Sequence, residues 1–326
     1  MIYVLIVVIL FISILIYFKI ANKYNIIDKP NERSSHSEIT LRGGGIIYPI
    51  AFILLMIYEF LSKNNQGFLE NYWQFGLGLL IICSISFIDD LMDLSSKIRI
   101  LFHFISVSLL LYFINAFQLL PFWVIPILFI LIIGILNAFN FMDGINGITG
   151  CYSLVVLGAL LYVNQYIFNF TDLNFIVFPM LASGVFLFFN FRKKAKCFMG
   201  DVGSMAIAFL ILALLGLLII KTNDLKYILF LVIYGIDVIT TILERLKLKE
   251  NIFEAHRRHL YQLFANEKKG DHRIISLVYA FLQASVNIIV IKFDFLGVWI
   301  FPIIILPLFI FYLLLKIRIR QKIILG

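Results

Sequence analysis

Asn137-Ala-Phe-Asn140-Phe-Met-Asp143-Gly-Ile-Asn146-Gly147 lies between runs too apolar for anything but a membrane or a deep core. Four polar side chains recur in it at steps of three: Asn137, Asn140, Asp143 and Asn146. On a helix such steps keep side chains on one slowly drifting face. Gly144 and Gly147 add points where the backbone turns sharply or comes close to a ligand. A carboxylate and three carboxamides at a membrane boundary are costly unless they meet something polar. An Asx-rich turn between two spanning helices would account for the stretch by itself, but its companion stretches favour a binding site.

Working outward, the 326-residue chain is 62% hydrophobic and only 14% charged, with a mean hydropathy of +1.00. A soluble domain is nearer half apolar and about a quarter charged. The expectation is an all-α polytopic membrane protein of ten or eleven transmembrane helices, a single integral-membrane unit over residues 1–326. Apolar runs of about 17–20 residues can cross the hydrocarbon core as helices. Eleven such runs fall at roughly 2–20, 44–61, 73–88, 98–115, 121–138, 149–167, 174–191, 203–220, 226–243, 273–291 and 296–315. One alternate set of connections (19–43, 89–99, 138–150, 192–202, 244–273 and 316–326) holds 23 of the 27 basic residues. The other set holds Lys63, Lys221, Lys226 and Lys292. The positive-inside rule makes the basic set cytoplasmic, with the N-terminus outside the membrane and the C-terminus inside. The net charge of +8 therefore reflects topology, and no nucleic-acid partner is expected. Cys83, Cys151 and Cys197 form no spacing motif and are expected as reduced thiols on the cytoplasmic side. No basic stretch precedes the first apolar run and no small-residue cleavage site follows it, so an uncleaved first span is expected.

Every polar-rich stretch falls in the basic set, which predicts an active site on the cytoplasmic face. Asp28-Lys-Pro-Asn-Glu-Arg-Ser-Ser-His36 runs on through Thr40 and Arg42 to Gly43-Gly44-Gly45. Glycines after an arginine let backbone amides approach a phosphate while the guanidinium grips it. Asp89-Asp90-Leu-Met-Asp93, followed by Lys97 and Arg99, crowds three carboxylates into five residues. Such crowding calls for a divalent cation, Mg²⁺ or Mn²⁺, or for nearby bases; it also suits proton transfer. Phe198-Met-Gly-Asp201-Val-Gly-Ser204 opens the eighth span, where exposed helix amides favour anions and Asp201 could cap the helix or hold a metal. His256-Arg257-Arg258-His259-Leu-Tyr-Gln262 is a cationic cluster better suited to phosphate than to metal. Asp237, inside the ninth span, is a functional candidate by its position, with helix pairing near Glu244 and Arg245 as the plainer account. Cation-holding carboxylates beside phosphate binders at one membrane face suit phosphoryl transfer between a soluble anionic donor and a lipid.

These four stretches, in this order between these spans, resemble the polyprenyl-phosphate N-acetylhexosamine-1-phosphate transferases of glycosyltransferase family 4. The resemblance covers about residues 28 to 262, and the first loop looks like the branch that initiates O-antigen and other surface polysaccharides. It implies a bacterial inner-membrane enzyme that moves a sugar-1-phosphate from a UDP-N-acetylhexosamine to undecaprenyl phosphate, releasing UMP. Carried over residue by residue, it makes Asp201 the magnesium aspartate. Asp89 and Asp90 become the aspartate pair that positions or deprotonates the lipid phosphate, with Asp89 also near the metal. Asp143 becomes a nucleotide contact beside Asn137, Asn140 and Asn146, and Phe198 a uracil-stacking ring. His256 and His259 become the basic motif near the pyrophosphate, with Arg257 and Arg42 offsetting charge. Gly44, Lys97 and Asn190 are likewise motif positions. Membrane lipids are implied as surroundings, and a homodimer is compatible with the sequence.

Three stretches depart from the family pattern. Ile39 and Leu41 replace prolines around Thr40, the segment 190–198 lacks its usual prolines, and Asn146 stands where the branch making peptidoglycan lipid I has Asp. The last departure argues against a lipid I synthase. A secondary transporter or flippase would place charge near the midplane within paired repeats, and this chain shows neither. A CDP-alcohol phosphotransferase would continue the Asp-Gly motif differently from Asp143-Gly-Ile-Asn-Gly147.

Overall fold

A computed structural model of the chain describes residues 2–28, 38–62, 68–92, 94–251 and 257–325. The candidates at His256 and Asp93, and the first-loop stretch from Lys29 to His36, lie outside the described residues. Thirteen helices make up almost all of the fold among the described residues. They are α1 (Ile2–Lys23), α2 (Ile47–Leu61), α3 (Phe68–Met92), α4 (Ser96–Phe113), the short α5 (Ala116–Leu119), α6 (Val124–Met142) and α7 (Ile148–Tyr166). There follow α8 (Leu173–Asn190), α9 (Gly200–Thr222), α10 (Val232–Lys247), the single turn α11 (Leu260–Gln262), α12 (His272–Lys292) and α13 (Ile300–Leu325). Among the described residues, eleven helical segments are long and apolar enough to cross a membrane, which makes this an all-α, multi-pass membrane protein.

The eleven segments match the eleven apolar runs, but the helices that carry the site run past them. α6 continues to Met142 and α9 opens at Gly200. A helix need not stop where hydropathy falls if its polar end residues find partners, and Asn140 and Asp201 find each other here.

α9 is the axis of the bundle. Every residue from Val202 to Leu215 is buried, with α2, α3, α6 and α7 packed around it. A helix apolar on all sides belongs in a core or in lipid, and this one is in the core. The outer helices show the complementary pattern, with residues such as Leu5, Ile12, Phe311 and Leu314 exposed on faces that lipid would cover. Two short strands, β1 (Ile27–Asp28) and β2 (Thr40–Leu41), pair antiparallel, with Ile27 opposite Leu41. Leu41 also bridges to Cys197, which brings the first loop against the segment that leads into α9.

By alternation the start of α9 shares one end of the bundle with the ends of α3, α6, α8 and α10 and the starts of α2, α7 and α12. The opposite end is tied by its own polar contacts. Buried Glu59 accepts from Asn174 at 2.9 Å, and Tyr3 donates to the same asparagine at 3.0 Å. Lys226 pairs there with Asp224 and Asp294.

Candidate active site

The site is built on the first turn of α9. The backbone of residues 41–45 runs beside that of 197–199: Phe198 N donates to Leu41 O (2.7 Å), Gly44 N to Phe198 O (2.8 Å) and Gly45 N to Met199 O (2.9 Å). Gly45 lies so near Gly203 that a Cβ on either would overlap the other's backbone. The glycines thus serve close packing. With its amide already bonded, Gly44 does not offer the phosphate cradle expected of it. This ladder sets Arg42 over the start of α9. Its Nε lies 2.6 Å from Asp90 Oδ1 and its Nη2 3.3 Å from Asp201 Oδ1. Asp90, reaching in from α3 with its side chain wholly buried, also accepts the amides of Asp201 (3.0 Å) and Val202 (3.2 Å). Asp90 therefore supplies the cap of α9 from another helix, satisfying amides that would otherwise lack partners. Asp201 is freed from that duty and turns outward, its Oδ2 accepting from Asn140 Nδ2 at 3.1 Å.

Above these groups opens a cavity of about 180 Å³ whose walls include Arg42, Asn140, Asp143, Phe198 and Asp201. It adjoins a larger polar space of about 490 Å³, rimmed by Lys193, Lys194 and Lys269, and shares Asn146, Phe198 and His272 with it. Asp143 stands just past the end of α6. Burial pushes its carboxyl up to about 7, and nearby Asp201 adds to the rise. Burial opposes the charge of Arg42, but Asp90 and Asp201 outweigh it and leave that guanidinium more basic than usual. Among the described residues no three His, Cys, Asp or Glu side chains gather as a ready-made metal cage. Asp143 and Asp201 nonetheless fit Mg²⁺, which commonly takes one or two carboxylates and completes its shell with waters and substrate phosphates.

The sequence model of glycosyl transferase family 4 matches residues 72–220, the stretch that carries Asp90, Asn140, Asp143, Phe198 and Asp201. The undecaprenyl-phosphate alpha-N-acetylglucosaminyl 1-phosphate transferase of Escherichia coli (strain K12) is 27% identical, over 94% of this chain and 89% of that protein. This chain resembles glycosyl transferase family 4 over a little under half of its length. A relative of the same name from Thermotoga maritima is 26% identical over 80% of each chain. The phospho-N-acetylmuramoyl-pentapeptide-transferase of Petrotoga mobilis is 27% identical over 50% of this chain and 56% of its own.

Several residues expected at the site stand away from the cavity. Asp89 is held by Arg99 (2.9 Å) and the Leu94 amide (2.7 Å) and does not line the cavity. Lys97 is exposed on the first turn of α4, away from the cavity walls. Asn137 returns its amide to Ile133 O at 2.8 Å. It sits one turn before Asn140 on the same helix but does not line the cavity. His259 is only 2% exposed and is pinned to Asp237 behind the cavity wall. Arg257, on the segment before α11, does not line the cavity. Asn190 and Asn146 border the cavity but spend their amides on the backbone. Asn190 spans Gly147 N (2.6 Å) and Cys197 O (2.8 Å), while Asn146 Nδ2 donates to Arg192 O (2.8 Å). Asp28 and Gln262, quoted in two of the polar stretches but given no role, line the cavity, as does His272. His272, whose Nδ1 accepts from Asn146 N at 3.5 Å across 126 positions, gave no local signal.

Proposed function

We propose that this chain transfers an N-acetylhexosamine-1-phosphate from a UDP-sugar to undecaprenyl phosphate and releases UMP, as the first step in building a lipid-linked surface polysaccharide. One observation carries the reading: Asp201, Asp143, Asn140 and Arg42 converge on a single cavity at one end of a membrane-spanning bundle. Cation-holding and phosphate-binding groups side by side are what diphosphate chemistry requires. The names of the Escherichia coli and Thermotoga maritima relatives agree with it. On this reading the cavity faces the cytoplasm of a bacterial inner membrane, with the N-terminus outside.

Asp201 and Asp143 would hold Mg²⁺, which when bound neutralises diphosphate charge. Arg42 offsets charge on the phosphates, and Phe198 offers a face for the base. The lysine rim of the adjoining space draws the anionic donor inward. An oxygen of the lipid phosphate attacks the sugar-bearing phosphorus, the bond between the two donor phosphates breaks, and UMP leaves. The second pKa of a phosphate monoester is about 6, so the acceptor needs little help to lose its proton near neutral pH. Positioning and electrostatics are then the larger contributions.

The test uses purified protein, undecaprenyl phosphate, Mg²⁺ and a panel of UDP-N-acetylhexosamines, with UMP release as the signal. UMP from one or two donors, abolished by EDTA and by Asp201→Ala, establishes the reaction and names the sugar. A folded preparation that releases no UMP from any donor overturns the proposal.

A further inference from the structure

We propose that Asp237 is a positioning residue whose carboxylate latches the segment 257–262 against the wall of the cavity. The proposal rests on reading that cavity as the transfer site. Asp237 lies in α10 and is wholly buried. Its Oδ1 faces His259 Nδ1 at 2.9 Å and accepts the Tyr312 hydroxyl (2.8 Å) and the Leu260 amide (3.3 Å). Its Oδ2 accepts the Tyr279 hydroxyl at 2.6 Å. A buried carboxylate is costly unless donors fill its lone pairs. Here α12, α13 and the His259 segment each send at least one. Pairing of two helices would need a single partner, whereas this arrangement gathers three elements around one anion.

From the latch, contacts lead directly to the cavity. His259 starts α11 in a reciprocal capping box with Gln262, whose Oε1 accepts the His259 amide at 3.2 Å. Gln262 lines the cavity. Tyr261 stacks on the His259 ring with centroids 5.8 Å apart and donates its hydroxyl to Phe141 O at 2.9 Å. It also fills the space left where Gly144 has no Cβ. Phe141 and Gly144 stand on either side of Asp143, so the far end of the latch grips the turn that presents that carboxylate. α13 braces the near end with three side chains at steps of four. Tyr312 meets Asp237, Lys316 meets Thr241 and Glu244 (both 3.0 Å), and Arg320 meets Glu244. Through Glu244, Arg258 of the same segment joins the network at 3.2 Å.

Hydrogen exchange of the full chain in lipid nanodiscs tests the latch on peptides covering 257–263, with peptides from 205–215 of α9 as the internal control. Asp237→Asn should speed exchange in 257–263 by roughly tenfold or more, the size expected for losing a charge-assisted hydrogen bond. Tyr312→Phe, a milder change that keeps the proposal testable if Asp237→Asn fails to fold, should speed it by roughly threefold. Exchange in α9 should not move in either variant. On the same preparations, Asp237→Asn should raise the donor KM by roughly tenfold with a smaller change in kcat. Unchanged exchange at 257–263 overturns the latch, as does exchange that rises equally in α9, or a fall in kcat with KM unmoved. If the unmodified protein releases no UMP, it is the transfer reading that fails, and the exchange comparison still decides the latch.

Discussion

Two aspartates share the Arg42 guanidinium, and substitution should separate their roles. Asp201 faces the cavity, so Asp201→Asn should lower UMP release by about 10²–10³-fold or more while the unfolding temperature barely moves. Asp90 both pairs with Arg42 and caps α9. Asp90→Asn should therefore cost about 3 kcal/mol of stability, the low end for breaking a buried pair because Arg42 keeps Asp201. Differential scanning fluorimetry beside the activity assay checks both. Asp143 carries the pH signature. Its pKa, ordinarily near 3.8 and raised by burial to about 7, means the folded chain keeps a proton that the unfolded chain loses. The stability this provides is complete below pH 4, declines as pH rises, and is gone once Asp143 ionises near 7. If Asp143 holds Mg²⁺ as proposed, the ion displaces that proton, and calorimetry should find about one proton released per ion near pH 6 and almost none at pH 8. Asp143→Asn should flatten that dependence.

At the scale of elements, the turn just before α2 and the first turn of α9 meet at a pair of glycines, Gly45 and Gly203. Gly45→Ala or Gly203→Ala would push a methyl into facing backbone, and overpacking of this kind costs about 1–3 kcal/mol. Gly134→Ala in α6 is the control, since nothing lies within 4 Å of its added Cβ. There the better helix propensity of alanine should leave the unfolding temperature level or slightly higher. The same elements explain what could be read without coordinates. Spanning helices follow from apolar runs, because the bilayer sets their length. Which residue caps a helix does not follow, because Asp90 and Asp201 lie 111 positions apart. Nor could the spacing of Asn137, Asn140, Asp143 and Asn146 say where α6 stops, and that stop takes Asp143 and Asn146 off the helix that carries the other two.

Over the whole molecule, polar groups collect at two ends of an apolar bundle, and only one end holds the cavity with both Asp143 and Asp201. Glu59→Ala at the other end, which strips the Asn174 amide of a buried acceptor, should cost about 1–3 kcal/mol. Scanning fluorimetry should register the loss, while the donor KM stays unchanged, because the bundle lies between that residue and the site. Family motifs made Asp201, Asp143, Asn140, Phe198 and Arg42 legible from sequence. Gln262 and His272 were not legible as cavity walls, because no local pattern marks a residue whose neighbours come from other helices. Asp237 was visible as an intramembrane acid, but its partners Tyr279 and Tyr312 lie 42 and 75 positions away.

Arg42 is one cation serving two anions, and that division has a thermodynamic consequence. A phosphate arriving in the cavity competes for the guanidinium, and each hydrogen bond it takes from Asp201 leaves that carboxylate with charge to share. A cation that neutralises Asp201 in turn loosens the hold on Arg42. Two ligands of opposite sign thus bind as heterotropic partners, and linkage makes the gain mutual: whatever factor the anion adds to the affinity of the cation, the cation returns to the anion.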